Sequence, residues 1–331
     1  MSLRVTTATM SIESHPKLVG LDLIQTTFKK VGDHEIRTDI LIPKKPLDGK
    51  RPVILRFHGG GLVMGDSLYM DFWPWWLSDL ALQENAIIIS PNYRLLPGST
   101  SSEICSDIED FWTWVQSPSL TNILAAHSTP TSADLSRVLS FGESAGGLIS
   151  LNLALAHPAG IRSCTAAYPL VDPCSAAFTK PRAKGPFGMM VPESVVKETL
   201  DVVVPGTVES SITEQERLGF MLGAISYGTL GQLYERGVEE LGREFRFPGV
   251  KIEQEGTTIP RGGITIIHGR QDSVVPVGDV EKFVKRAREV FGDEKVIFTV
   301  KEGEHGLDAP LRFEEAWLQE TFKAAIQTWL A

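Results

Sequence analysis

Residues 137–150 read RVLSFGESAGGLIS: an apolar run, then Gly142-Glu143-Ser144-Ala145-Gly146, then small and apolar residues. RVLSF has the composition of a short buried strand, and SAGGLISLNLALAH (144–157) that of a helix. A Gly-x-Ser-x-Gly element between a strand and a helix predicts a sharp turn that exposes the serine hydroxyl. The glycines at −2 and +2 then let strand and helix approach closely. The competing reading is a glycine-rich turn whose serine does nothing. The remainder of the chain decides between them.

Outward from this point the chain alternates. VILRF (53–57), AIIIS (86–90), SCTAAYPLV (163–171), GGITIIHG (262–269) and KVIFTV (295–300) read as buried strands. Helical patterns cover 71–85, 101–117, 144–157, 278–292 and 313–330. Ahead of them, LDLIQTTFKK and HEIRTDILIP flank a VGD turn and read as a β-hairpin. Eight strands, mostly alternating with helices, predict an α/β fold with a largely parallel sheet covered on both faces. Residues 173 to about 250 break the rhythm with Pro, Gly, Met and short helical pieces. They read as a cap insertion above the carboxyl ends of the strands, where such sheets bind ligands. Residues 1–20 read as a flexible polar leader, with membership of the cap left open, and 21–331 as a single domain.

The 331 residues are 42% hydrophobic and 22% charged, with a formal charge of −9. This is ordinary globular composition. The acidic balance argues against nucleic acid as a partner, because phosphate binding needs a basic face. Cys105, Cys164 and Cys174 have no metal-site spacing and form no disulfide framework, although Cys164 and Cys174 could pair in an oxidising setting. No signal peptide or membrane-spanning run is visible, so a cytoplasmic protein without a membrane partner is expected. A homodimer is left open.

A serine hydroxyl needs a base to take its proton. Of the seven histidines, His305 follows the last strand on a loop and so shares the carboxyl end of the sheet with Ser144. His268, at a strand end, reads as structural. The base needs an orienting carboxylate. Asp272, in IIHGRQDSVVPV, follows the seventh strand and gives the chain order Ser, Asp, His. Asp172, after the sixth strand, is the rival. HGGG (58–61) follows the first buried strand of the alternating series. Its backbone can approach a substrate closely, and the N–H groups of Gly60, Gly61 and Ala145 are the expected oxyanion donors. The loop lacks the lysine of a phosphate-binding P-loop and the glycine spacing of a dinucleotide site. His58 reads as a loop organiser.

HGGG, NYRL, GESAGG, HGRQD and EHG occur in that order. Together they resemble the hormone-sensitive-lipase-like branch of the α/β-hydrolase family, from about residue 20 to the end. The resemblance implies an eight-stranded sheet with a helical cap, and Ser144, Asp272 and His305 as a catalytic triad. It also implies hydrolysis of small to medium carboxylic esters through an acyl-enzyme, with no metal and no cofactor. Some relatives of this branch are lyases or cyclases, and one plant group is a receptor; an intact His305 argues against the receptor. The chain departs from the common pattern at Glu143, where aspartate is usual, in the LPGSTSSEI stretch after NYRL, and in DSVVP. For the substrate pocket, Phe187, Met189 and Met190 are the expected apolar lining. FWPWW (72–76) reads as helix packing in preference to pocket wall.

Overall fold

The computed structural model describes residues 12–238 and 242–331. The hairpin forms from β1 (Leu21–Val31) and β2 (His34–Pro43). Then come β3 (Arg51–Phe57), α1 (Trp75–Gln83), β4 (Ile87–Pro91), α2 (Ser101–Val115), α3 (Pro118–Ala125), β5 (Ala133–Glu143), α4 (Ala145–Ala156) and β6 (Ser163–Ala167). Between β6 and β7 (Ile264–Gly269) run α5 (Ala176–Thr179), α6 (Glu193–Val202), α7 (Gln215–Ser226), α8 (Leu230–Glu235), α9 (Arg243–Arg246) and α10 (Pro248–Lys251). The chain closes with α11 (Val277–Phe291), β8 (Val296–Lys301) and α12 (Ala316–Leu330).

The sheet order is β1-β2-β4-β3-β5-β6-β7-β8. β2 is antiparallel to both neighbours, and the pairs from β4 to β8 are parallel. The expected α/β architecture is therefore present, with all eight strands in one sheet. β3, β4, β6 and β7 are buried along their whole length, which is why they read as continuous apolar runs. Alternate residues feed two cores. Val53, Leu55, Phe57, Ile87 and Ile89 join α2, α4 and α11 on one face. Ile54, Ile88, Leu139 and Phe141 join α1 and α12 on the other.

Local chemistry sets the element ends. Thr100 and Glu103 form a reciprocal capping box at the start of α2, worth about 1 kcal/mol. Pro74 caps α1, so the helix begins four residues later than the pattern at 71 suggested. β6 stops at Ala167 rather than running to 171, because Tyr168 turns to φ 39° and Pro169 follows. The expected leader spans residues 1–20. Residues 1–11 lie outside the described residues. From Ile12 to Leu18 the chain forms two 3₁₀ turns, Leu18 is buried, and Lys17 Nζ donates to the carbonyls of Met70 and Trp73 at 2.6 Å each. This one ammonium, shared by two backbone carbonyls, holds the chain against the loop before α1.

Candidate active site

Ser144 sits at φ 56°, ψ −119°, a conformation that costs an L-residue strain and is held by its surroundings. Its N–H donates to Ala167 O at 2.9 Å, and its carbonyl accepts from Gly147 and Leu170 N–H at 3.0 Å each. The flanking glycines are a steric necessity. A Cβ on Gly142 would lie 2.0 Å from Gly146 O, and one on Gly146 would lie 2.0 Å from Phe57 O. The hydroxyl-bearing residue thus opens α4 directly above the carboxyl end of β5.

His305 lies on the loop after β8, and its Nδ1 is 2.8 Å from Asp272 Oδ2. Asp272 follows β7. Its Oδ1 accepts the N–H groups of Val274 (2.9 Å) and Val275 (2.8 Å), while His268 Nε2 stands 3.3 Å from Oδ2. Burial opposes the charged form, but the hydrogen bonds and charges of His268 and His305 outweigh it and hold this carboxyl well below the usual range. Glu304 ties the two loops together: its Oε2 accepts Ser273 N–H (2.9 Å), Ser273 Oγ (3.0 Å) and His305 N–H (3.0 Å). The Tyr168 ring packs on the His305 imidazole, with centroids 4.4 Å apart. Asp172 is elsewhere. Its Oδ1 accepts Cys174 N–H at 2.9 Å, and it lines a separate surface groove with Arg243 and Lys282.

Ser144 and His305 open into one cavity of about 270 Å³. Gly59, Gly60 and Gly61 form one wall. Among the described residues no protein acceptor takes the N–H of Gly60, Gly61 or Ala145. Gly60 (φ 109°) and Gly61 (φ 62°) adopt backbone conformations that favour glycine. His58 is fully buried and stacks on Tyr93 with centroids 4.3 Å apart; its Nδ1 lies 2.8 Å from Gly59 O. Burial pulls its pKa down to about 4, which leaves a neutral ring inside the loop.

The three residues expected as substrate lining take different places. Phe187 borders the cavity, but Met189 and Met190 are half exposed and are not among the residues that line it. Phe187 sits at φ 56° within a 3₁₀ turn, and the two methionines continue outward beyond it. The apolar wall comes instead from Leu218, Met221 and Ile225 of α7, with Phe178 and Leu230 beside them. Their i, i+3, i+7 spacing in TEQERLGFMLGAIS was the signal that could have found them. In FWPWW, Trp73 and Trp76 are core, and only Phe72 reaches the cavity. The three cysteines are unpaired. Among the described residues no three His, Cys, Asp or Glu side chains gather as a metal site, and no helix is long and apolar enough to cross a membrane.

Residues 54–211 match a protein family described as alpha/beta hydrolase fold. That stretch contains Ser144 and the glycine loop and ends before Asp272 and His305. A probable carboxylesterase of the fungus Phoma is 30% identical over 303 residues, which is 88% of this chain and 91% of that protein. An esterase of Mycobacterium tuberculosis is 37% identical over a shorter stretch, 34% of this chain and 31% of its own. Among solved structures, esterase B of Lactobacillus rhamnosis superposes with a TM-score of 0.57 at 16% identity, covering 94% of this chain and 85% of that one. Esterase 2 of Thermogutta terrifontis, solved with butyrate bound, gives 0.55 at 17% identity, covering 95% of each chain. These two show a shared fold. The near full-length similarity to a carboxylesterase, on this fold, shows more: the chain belongs to the α/β-hydrolase family, among its hormone-sensitive-lipase-like carboxylesterases.

Proposed function

We propose that this carboxylesterase works through an acyl-enzyme on Ser144, with His305 as base and Asp272 as its orienting partner. The observation that carries the reading is the Asp272–His305 hydrogen bond at the cavity that Ser144 enters from its strained turn. An imidazole whose Nδ1–H is held by Asp272 keeps Nε2 free to take the serine proton. The serine oxygen attacks the ester carbonyl. The N–H groups of Gly60, Gly61 and Ala145 stabilise the charge that builds on the carbonyl oxygen. His305 returns the proton to the departing alcohol, and water releases the acid by the same route.

The β6–β7 segment acts as the cap, since α7 supplies the apolar wall of the cavity beside the glycine loop. A cavity near 270 Å³ lies just below the usual range of ligand sites, about 300–1,000 Å³. Its apolar lining suits a small to medium, partly apolar ester, and the butyrate bound by the Thermogutta esterase is of that class. Three unpaired cysteines fit a cytoplasmic location.

Intact mass after treatment with paraoxon tests the mechanism. A single adduct is expected on the native protein and none on Ser144→Ala, whose hydrolysis of nitrophenyl butyrate drops by roughly 10⁶-fold. Hydrolysis that survives Ser144→Ala would falsify the acyl-enzyme.

A further inference from the structure

Strands β3 and β5 carry the two halves of the site: β3 leads into the glycine loop and β5 into Ser144. Their parallel pairing ends at Phe57 opposite Gly142. Past that point no ladder partners hold the two strand ends in register. One side chain spans the step. Glu143, the last residue of β5, is 2% exposed, and its Oε1 accepts the N–H of Gly59 at 3.2 Å. The same oxygen accepts Arg56 Nη2. Arg56 is itself fully buried on β3. Its Nη1 donates to Ser67 O at 2.8 Å, and its guanidinium lies 4.6 Å from the Trp73 ring centre.

The spacing that this contact sets is tight. A Cβ on Gly59 would come 3.1 Å from Glu143 O and 3.3 Å from Ser144 Cβ. A small slide of the loop along β5 therefore moves Gly60 and Gly61 relative to the serine. Oxyanion donors act only at hydrogen-bond distance from where the charge develops, so such a slide is felt in the transition state and hardly at all in substrate binding.

We propose that Glu143 is a positioning residue whose carboxylate oxygen replaces the missing ladder bond and fixes the Gly60 and Gly61 N–H groups relative to Ser144. The inference rests on the acyl-enzyme reading of Ser144. It also gives a use to the glutamate that stands here where aspartate is common in similar chains. Aspartate is one methylene shorter, and on this proposal its carboxylate falls short of the Gly59 N–H that Glu143 Oε1 accepts at 3.2 Å. Reach and acceptor matter for this role; the negative charge does not.

Two variants separate the roles. Glu143→Asp keeps the charge and loses the reach. Glu143→Gln combined with Arg56→Met keeps reach and acceptor, removes the charge, and leaves no unpaired buried cation. Each is assayed on nitrophenyl butyrate, with rates expressed per active site titrated by paraoxon and with thermal unfolding as a folding control. Glu143→Asp is expected to lose about 10²-fold in kcat at a KM within about threefold of native. The double variant is expected to stay within about tenfold in kcat. The reverse order, with the aspartate nearer native than the glutamine, overturns the positioning role in favour of charge. A loss confined to KM overturns it as well. If the double variant fails to fold, Glu143→Asp decides alone: native kcat there refutes the inference. Should native protein and Ser144→Ala hydrolyse the ester equally, the acyl-enzyme reading fails and takes this inference with it. With Ser144 required, the Asp and Gln outcomes judge Glu143 separately.

Discussion

Replacing Asp272 with asparagine isolates the role of one carboxylate oxygen. Oδ1 already accepts two backbone N–H groups, from Val274 at 2.9 Å and Val275 at 2.8 Å. An asparagine carbonyl keeps both, so its NH₂ must take the place of Oδ2. That places a pure donor 2.8 Å from His305 Nδ1. The ring nitrogen facing it has to be the unprotonated one, so the neutral imidazole carries its proton on Nε2. A ring in that tautomer has no lone pair to take the Ser144 proton. In a serine protease the equivalent change costs roughly 10⁴-fold in kcat, or about 5.4 kcal/mol at 1.36 kcal/mol per tenfold. The same loss is expected here, with KM within about threefold, since the carboxylate does not border the cavity. Folding should suffer little. His268 Nε2 faces the new NH₂ at the 3.3 Å contact but keeps its bond to Val275 O at 2.9 Å, so a cost of about 1–2 kcal/mol is expected. Steady-state kinetics on nitrophenyl butyrate and a thermal melt check both figures. Asp172→Asn is the control, because its carboxylate caps a local turn in another groove. A Asp272→Asn enzyme within about tenfold of native refutes the reasoning, and so does a larger loss in Asp172→Asn.

Met221 packs against the glycine loop, since a Cβ on Gly61 would lie 3.0 Å from its Cγ. Met221→Ala should deepen the cavity and raise the octanoate-to-butyrate ratio of kcat/KM by about tenfold, within the range one or two methylenes command; an unchanged ratio would show that this side chain does not limit acyl length. Gly146→Ala places a methyl 2.0 Å from Phe57 O and should cost about 3 kcal/mol, read as a lowered urea midpoint, with near-native stability counting against the elbow packing. Burial pushes the Glu143 carboxyl from its ordinary 4.5 up to about 7, against the pull of Arg56 and Gly59 N–H and with Asp308 adding to the rise. The folded state then holds a proton that the unfolded state has released, so this group's contribution to stability declines as pH rises from 4.5 through 7. Melting temperature against pH should lose that part of its slope in the Glu143→Gln, Arg56→Met variant; an unaltered slope would show that Glu143 does not titrate there.

The alternation of apolar runs and amphipathic helices was enough to place all eight strands, because a strand buried on both faces has nowhere to carry polar residues. Strand ends were less legible. β6 stops at Ala167 through the left-handed turn at Tyr168, and no side-chain pattern announces a backbone angle. The Ser144, His305 and Asp272 candidates were readable because each follows a strand, and parallel strands deliver their carboxyl ends to one edge. Met189 and Met190 lie outside the cavity wall, and the composition of a loop does not say which way its side chains face. The α7 wall of Leu218, Met221 and Ile225 was written in helical spacing, but only its position over the cavity gives that stripe a ligand to touch.

The sequence by itself determined the layered α/β fold, the glycine-flanked turn that holds Ser144 and the two loops that carry Asp272 and His305, because these are local consequences of residue size, periodicity and position after a strand. Tertiary structure alone decided that Asp272 and not Asp172 meets His305, that Glu304 knots their loops together, and that Glu143 reaches across from β5 to Gly59. Those contacts join residues that lie between 31 and 84 positions apart in the chain. Their hydrogen bonds exist only after the sheet has set its strand order, and strand order is fixed by packing on both faces rather than by any stretch read alone.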